Sequence, residues 1–125
     1  MYKKFALIGL VVALVAGIAL AKAVKKDLVP FAAGCPEEGA YGKVMLNYAK
    51  DADKTEIQIN CWGLTAGTEY EVWIDDGAGY VSYGTFTVRQ NGTANFHAKP
   101  AGDISDALSV AVNDAANNCT VLISE

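Results

Sequence analysis

Two patterns of hydrophobic and polar positions divide the chain. From Phe5 to Ala21 the residues are apolar without a break, 17 in a row, with Lys3 and Lys4 ahead of them. From residue 40 to the end, apolar residues instead recur at every second position, and turn-forming residues interrupt them every 8 to 12 residues. A period of two is that of a strand with one buried face. Its regular interruption is the rhythm of a sandwich or barrel.

The alternation predicts seven strands. The first spans residues 40–50, with Val44, Leu46 and Tyr48 facing in, and ends at the polar turn Asp51-Ala52-Asp53-Lys54. Residues 55–62 follow, where Ile57, Ile59 and Cys61 alternate with Glu56, Gln58 and Asn60. In residues 69–75 the inward set is Tyr70, Val72 and Ile74, and Asp76-Gly77-Ala78-Gly79 then reverses the chain. Residues 80–89 and 93–99 flank Asn91-Gly92, a pair suited to a type I′ hairpin turn. The last two strands are 108–113 and 118–124. The expected fold is thus all-β, a seven-stranded Greek-key sandwich over residues 40–125. Residues 24–39, with two prolines and no clean period, form an extended arm or linker ahead of it.

The first apolar run has the layout of a secretory signal peptide, and Ala19-Leu20-Ala21 and Ala21-Lys22-Ala23 both satisfy the small-x-small rule for cleavage. Residues 1–23 are expected to leave, with the mature chain starting at Lys22 or Val24. Retention as a membrane anchor is the competing reading, since 17 residues of helix span roughly 25 Å against a hydrocarbon core of ~30 Å. Ala32-Ala33-Gly34-Cys35 has the look of a degraded lipobox, but VKKDLVP separates it from the apolar run it should close.

At Leu64-Thr65-Ala66-Gly67-Thr68-Glu69-Tyr70 the chain resembles the tyrosine corner of fibronectin type III and related immunoglobulin-like sandwiches, with Ala66 where that pattern has proline. There a tyrosine at a strand start sends its hydroxyl back to the backbone of the preceding crossover. The resemblance implies an immunoglobulin-like Greek key, and by analogy roles in adhesion or extracellular architecture.

Charge narrows the partners. Without residues 1–23 the chain keeps six lysines and Arg89 against all 14 acids, a net charge of −7. Nucleic acid and anionic membrane surfaces demand the opposite field, so a membrane role is left only to residues 1–23. Export also bears on the three cysteines, 35, 61 and 119, because disulfides persist outside the cytoplasm. Alternation turns Cys61 and Cys119 inward, so a Cys61–Cys119 bridge is the preferred pairing, closing about 58 residues for something like 4 kcal/mol. Cys35 would then be free to pair with another subunit. A bridge from Cys35 to Cys119 or Cys61 remains the alternative.

Catalytic chemistry finds little support. His97, the only histidine, falls on a solvent face opposite to the strand cysteines. There is no CxxC, HExxH or phosphate-binding glycine loop. The chain is expected not to be an enzyme and to carry no cofactor. Asp51, Asp53 and Glu56 are the best oxygen ligands for a calcium ion, although they also suit an ordinary hairpin turn. More telling is the placement of Trp62 with Glu56, Gln58 and Asn60, and of Trp73 with Glu71 and Asp75, on the polar faces of their strands. With Tyr83, and Met45 beside them, they predict a surface patch for sugar rings, a neighbouring subunit or another envelope protein. Asn91-Gly92-Thr93 and Asn118-Cys119-Thr120 are glycosylation sequons, the first on a hairpin tip.

Two roles fit these features. One is a non-enzymatic secreted or cell-surface module that binds envelope or extracellular proteins, or carbohydrate, or contributes to envelope architecture. The other is a subunit of an extracellular filament, self-assembled by adding the arm 24–39 to the sheet edge of the next copy.

Overall fold

The computed structural model describes residues 21–125. Eight strands are present: β1 (Ala21–Pro30), β2 (Tyr41–Ala49), β3 (Lys54–Trp62), β4 (Glu69–Asp75), β5 (Tyr80–Thr87), β6 (Ala94–Ala98), β7 (Ser109–Asp114) and β8 (Cys119–Ser124). They form one antiparallel sheet in the order β5-β4-β7-β8-β1-β2-β3-β6. The two end strands face each other, with the rings of Phe86 on β5 and Phe96 on β6 centred 6.2 Å apart. The sheet thus curls nearly into a barrel whose seam is filled by side chains instead of a hydrogen-bonded ladder.

Most of the residues that alternation assigned inward form the interior, whereas Tyr48, also assigned inward, is only half-buried. Val44 and Leu46, Ile57, Ile59 and Cys61, and Tyr70, Val72 and Ile74 are all buried. The fold is all-β as expected, but the seven-stranded sandwich is corrected to an eight-stranded near-barrel. The additional strand, β1, takes in residues 24–30 of the expected extended arm or linker together with 21–23, and inserts between β2 and β8. Its inward residue Leu28 is fully buried. An inward lysine hides the alternation: Lys26 is paired with the inward Val44, but its ammonium runs out of the barrel end and donates to the Ala107 carbonyl at 3.0 Å. The aliphatic stem covers core while the charge stays near water. The signal or anchor helix expected over residues 1–23 lies outside the described residues as far as residue 20, and residues 21–23 belong to β1.

Connections close the two barrel ends. At one, the segment 99–108 folds over the core, burying Ile104 and Ala107. Thr55 anchors it, its hydroxyl donating to the Gly102 carbonyl at 2.7 Å and accepting the Ile104 N–H at 3.0 Å. The Lys22 ammonium ties the start of β1 to the same segment through Asp106 (2.8 Å) and Asp103 (3.2 Å). These carboxylates, Asp106 first, hold its pKa above the usual lysine value.

At the other end the tyrosine corner forms. Tyr70, fully buried, accepts the Thr65 N–H at 3.2 Å and donates to Glu37 at 2.6 Å. The Thr65 hydroxyl donates to the other oxygen of Glu37. One phenol therefore joins the crossover before β4 to the loop before β2. Tyr70→Phe removes the partner of the Thr65 N–H and of one Glu37 oxygen, and is expected to lower the unfolding free energy by about 2 kcal/mol, seen as a lower urea midpoint at unchanged m-value.

The Asn91-Gly92 hairpin is also corrected. Only Gly92 takes a positive φ, of 82°, and its N–H closes a turn on the Arg89 carbonyl at 3.0 Å. The strands on either side are not ladder partners, because β6 pairs with β3. A bulge at Val72 and Trp73 shifts the register of β4 with β5. Phe96 packs in the gap that remains between β5 and β6, where a side chain on Gly84 would meet its ring at 3.2 Å.

Candidate binding groove

With Tyr70, Val72 and Ile74 inward, β4 turns Glu71, Trp73 and Asp75 to the outer face. The register then sets Ser82, Trp73, Ala111, Ile123 and Val29 side by side across β5, β4, β7, β8 and β1. Ala111 is small, so the row is concave there. The result is a groove of about 310 Å³ lined by Phe31, Trp73, Tyr80, Ala111, Asn113, Asn118, Thr120 and Ile123. Trp73 is half-buried and Tyr80 is 47% exposed.

Hydrogen bonds fix the indole. Its N–H donates to one oxygen of Glu71 at 3.0 Å, and the other oxygen accepts the Ser82 hydroxyl at 2.7 Å. On the far wall, Phe31 follows β1 and donates its N–H to the Val121 carbonyl at 2.9 Å. The Cys35 N–H reaches the Thr120 carbonyl at 2.8 Å. Gly34 permits this approach, since a Cβ there would collide with the backbone oxygen of Thr120. On the polar rim, the Thr120 hydroxyl donates to Asn113 at 2.8 Å.

A disulfide staples that wall. Cys35 is bonded to Cys119, with Cα atoms 5.8 Å apart, inside the range such a bridge needs. The preferred Cys61–Cys119 pairing and the free Cys35 are thereby corrected. Once β1 enters the sheet, β2 and β1 separate the strand of Cys61 from that of Cys119. Cys119 sits at the mouth of the barrel beside the loop after β1, and Cys61 is a free thiol in the core. A disulfide of this kind is typical of oxidising compartments outside the cytoplasm.

Burial pushes the Cys61 thiol up to about 12, and burial with the Glu37 contact pushes the Tyr70 hydroxyl to about 12. Both are held neutral in the fold and ionise more readily when it opens. Their contributions to stability are complete below their ordinary values of 9.0 and 10.0 and fade as pH rises towards about 12. Urea midpoints are therefore expected to fall from about pH 9 upward. In Cys61→Ala the fall should begin about one pH unit later.

The other candidate residues do not gather at this groove. Trp62 is half-buried and stacks on Tyr41, with centroids 5.0 Å apart and planes at 17°, on the β2–β3 side. Tyr83 packs partly buried against the core, and burial, then Asp76, raises its hydroxyl pKa. The patch expected from Trp62, Trp73 and Tyr83 is thus divided among three places. Met45 lies between Lys25 and Gln58 in a separate, mixed-charge depression of about 350 Å³ on the outer face of β1, β2 and β3.

Nor do the calcium candidates converge. Asp53 accepts the Tyr48 hydroxyl at 2.9 Å. Glu56 is engaged by His97 at 3.1 Å and Lys99 at 3.7 Å, with the His97 contact chiefly lowering its pKa. Among the described residues no group of three or more His, Cys, Asp or Glu is arranged to hold a metal ion. Asn91 is exposed but turned on Thr93, accepting its N–H at 3.2 Å and its hydroxyl at 2.7 Å. Asn118 is exposed at the groove rim with φ of 50°.

Phe31, Tyr80, Ala111, Asn113, Thr120 and Ile123 line the groove without being candidate site residues in the sequence. The one available signal was the polar-face placement of Trp73, which marks the groove but not its neighbours. Comparison with protein-family models finds none that matches the chain, and comparison with curated proteins finds no match.

Proposed function

We propose that the chain is an exported, non-enzymatic β-domain of the cell surface or extracellular space, and that it acts by binding through the Trp73 groove. The observation that carries this reading is an indole held by Glu71 and left half-exposed in a concave site. A large apolar side chain fixed in that position, without enough of its own chain to cover it, is well suited to meet a partner. The disulfide and the signal-like N-terminus support export. The Cys61 thiol lies in the core while His97 is bound by Glu56 on the opposite face of the sheet, so the two cannot act as a nucleophile and base pair.

The strand order supports a finer view of the fold. The order of β2-β3-β6 and of β5-β4-β7-β8, with β1 between β2 and β8, is that of an immunoglobulin-like Greek key whose two halves β1 has joined into one sheet. The arm-mediated filament is the weaker reading. The segment that would be donated fills its own sheet, and the loop after it is tied to β8.

Protein purified from its host should cosediment with that host's envelope preparations, and Trp73→Ala should reduce the bound fraction roughly tenfold. Equal sedimentation of the two proteins would sink the reading.

A further inference from the structure

Resting on that reading of the groove, we propose that its ligand is a neutral saccharide, one pyranose ring of which stacks on Trp73. Four observations lead there. None of the eight lining residues is charged, so the site offers no cationic partner to an anion, and the acidic chain around it disfavours an anion further. The bond to Glu71 holds the indole in place before binding, so little side-chain entropy is lost when the C–H face of a sugar ring covers it.

Asn113, Asn118 and Thr120 stand along the rim. Carboxamides and hydroxyls donate and accept together, which is what a ring bearing several hydroxyls requires. The volume, about 310 Å³, is at the small end of ligand sites and suits one ring with part of a second.

The same geometry disfavours a peptide strand. β4, β7 and β8, which form most of the groove floor, are interior to the sheet with ladder partners on both sides, so main-chain pairing could reach the groove only past Tyr80 on the end strand β5. A ligand of this size held mainly by stacking should have a dissociation constant on the order of 1 mM.

Two-dimensional NMR of the full, oxidised, 15N-labelled protein tests this with neutral methyl glycosides and disaccharides, and with uronic acids as charged counterparts. Saturable shifts are expected at the Trp73 indole and at the amides of Asn113, Asn118 and Thr120, with the Trp62 indole unmoved. Trp73→Ala should weaken the response at least tenfold. Tyr80→Ala, at a half-exposed position away from the core, should weaken it several-fold without touching the fold.

Retardation of wild type, but not Trp73→Ala, on a neutral polysaccharide gel would place the ring within a polymer. A response to free glycosides without retardation would place it at a chain end. The inference is overturned if no neutral saccharide shifts these signals, if the shifts centre on Trp62, or if uronic acids bind equally well. Envelope binding that depends on Trp73 without any saccharide response would overturn the sugar while leaving the binding reading intact.

Discussion

Replacing Cys35 with serine is expected to lower the unfolding free energy by about 4 kcal/mol, the largest effect of any single exposed position. The bridge to Cys119 spans 84 residues of sequence, most of the domain. Without it the denatured chain gains the entropy of an open loop, roughly 4.5 kcal/mol in the chain-entropy treatment. That is a large share of the 5–15 kcal/mol typical of a small domain. Because the opened chain also exposes more surface, the urea m-value should rise while the midpoint falls.

Cys61→Ala is the informative contrast. It removes one buried sulfur and should cost about 1 kcal/mol with m unchanged. Had the bridge joined Cys61 to Cys119, the two variants would exchange roles. The Cys35 variant should also lose the far wall of the groove, since the bridge and the Cys35 N–H bond to Thr120 together hold the Phe31 loop on β8.

Leu28→Ala is expected to cost about 3 kcal/mol, and it decides whether β1 is a strand or an arm. Leu28 is 0% exposed, opposite Gly42 on β2 and Ser124 on β8. A side chain on Gly42 would come within 3.1 Å of both Leu28 and Cys61, so the leucine fills the space that the glycine vacates. Truncation leaves a cavity between three strands that backbone ladders hold apart, with little scope for collapse. If residues 24–31 were a free arm waiting for another copy, the isolated chain would not register the change. The urea midpoint of the monomer separates these outcomes. Val29→Ala, half-buried on the outer face of the same strand, should cost less.

Where one face of a strand is wholly interior, alternation could be read with little ambiguity. Residues 69–75 coincide with β4, and 55–62 miss β3 by one residue, because Tyr70, Val72 and Ile74, and Ile57, Ile59 and Cys61, each recur at every second position, with acids, Gln58, Asn60 or the two tryptophans between and after them. Residues 21–30 defeated the same rule, since a lysine at an inward position looks like a break when its stem is buried and its charge escapes at the barrel end. The missing strand then misled the cysteine pairing, because β1 alters which strands lie close together.

In β8 the irregularity between Val112 and Asn113 in its pairing with β7 shifts the register. Val121 and Leu122 are both buried, and Ile123, assigned inward by alternation, lies in the groove instead. A bulge of this kind leaves no mark in hydrophobic periodicity. The groove itself was half legible. Trp73 was placed on an outer face from its neighbours in sequence, but Phe31, Tyr80 and Asn113 become its neighbours only through the strand order.

The most direct test is to identify the disulfide in protein purified from its native host, by digestion and mass spectrometry under non-reducing and then reducing conditions. A peptide linking Cys35 to Cys119, with Cys61 recovered as a free thiol only after denaturation, is the expected result. It would support β1 in the sheet, Cys61 in the core, the stapled groove wall and an oxidising compartment together. A Cys61–Cys119 peptide, or Cys35 joined to a second copy, would contradict the account.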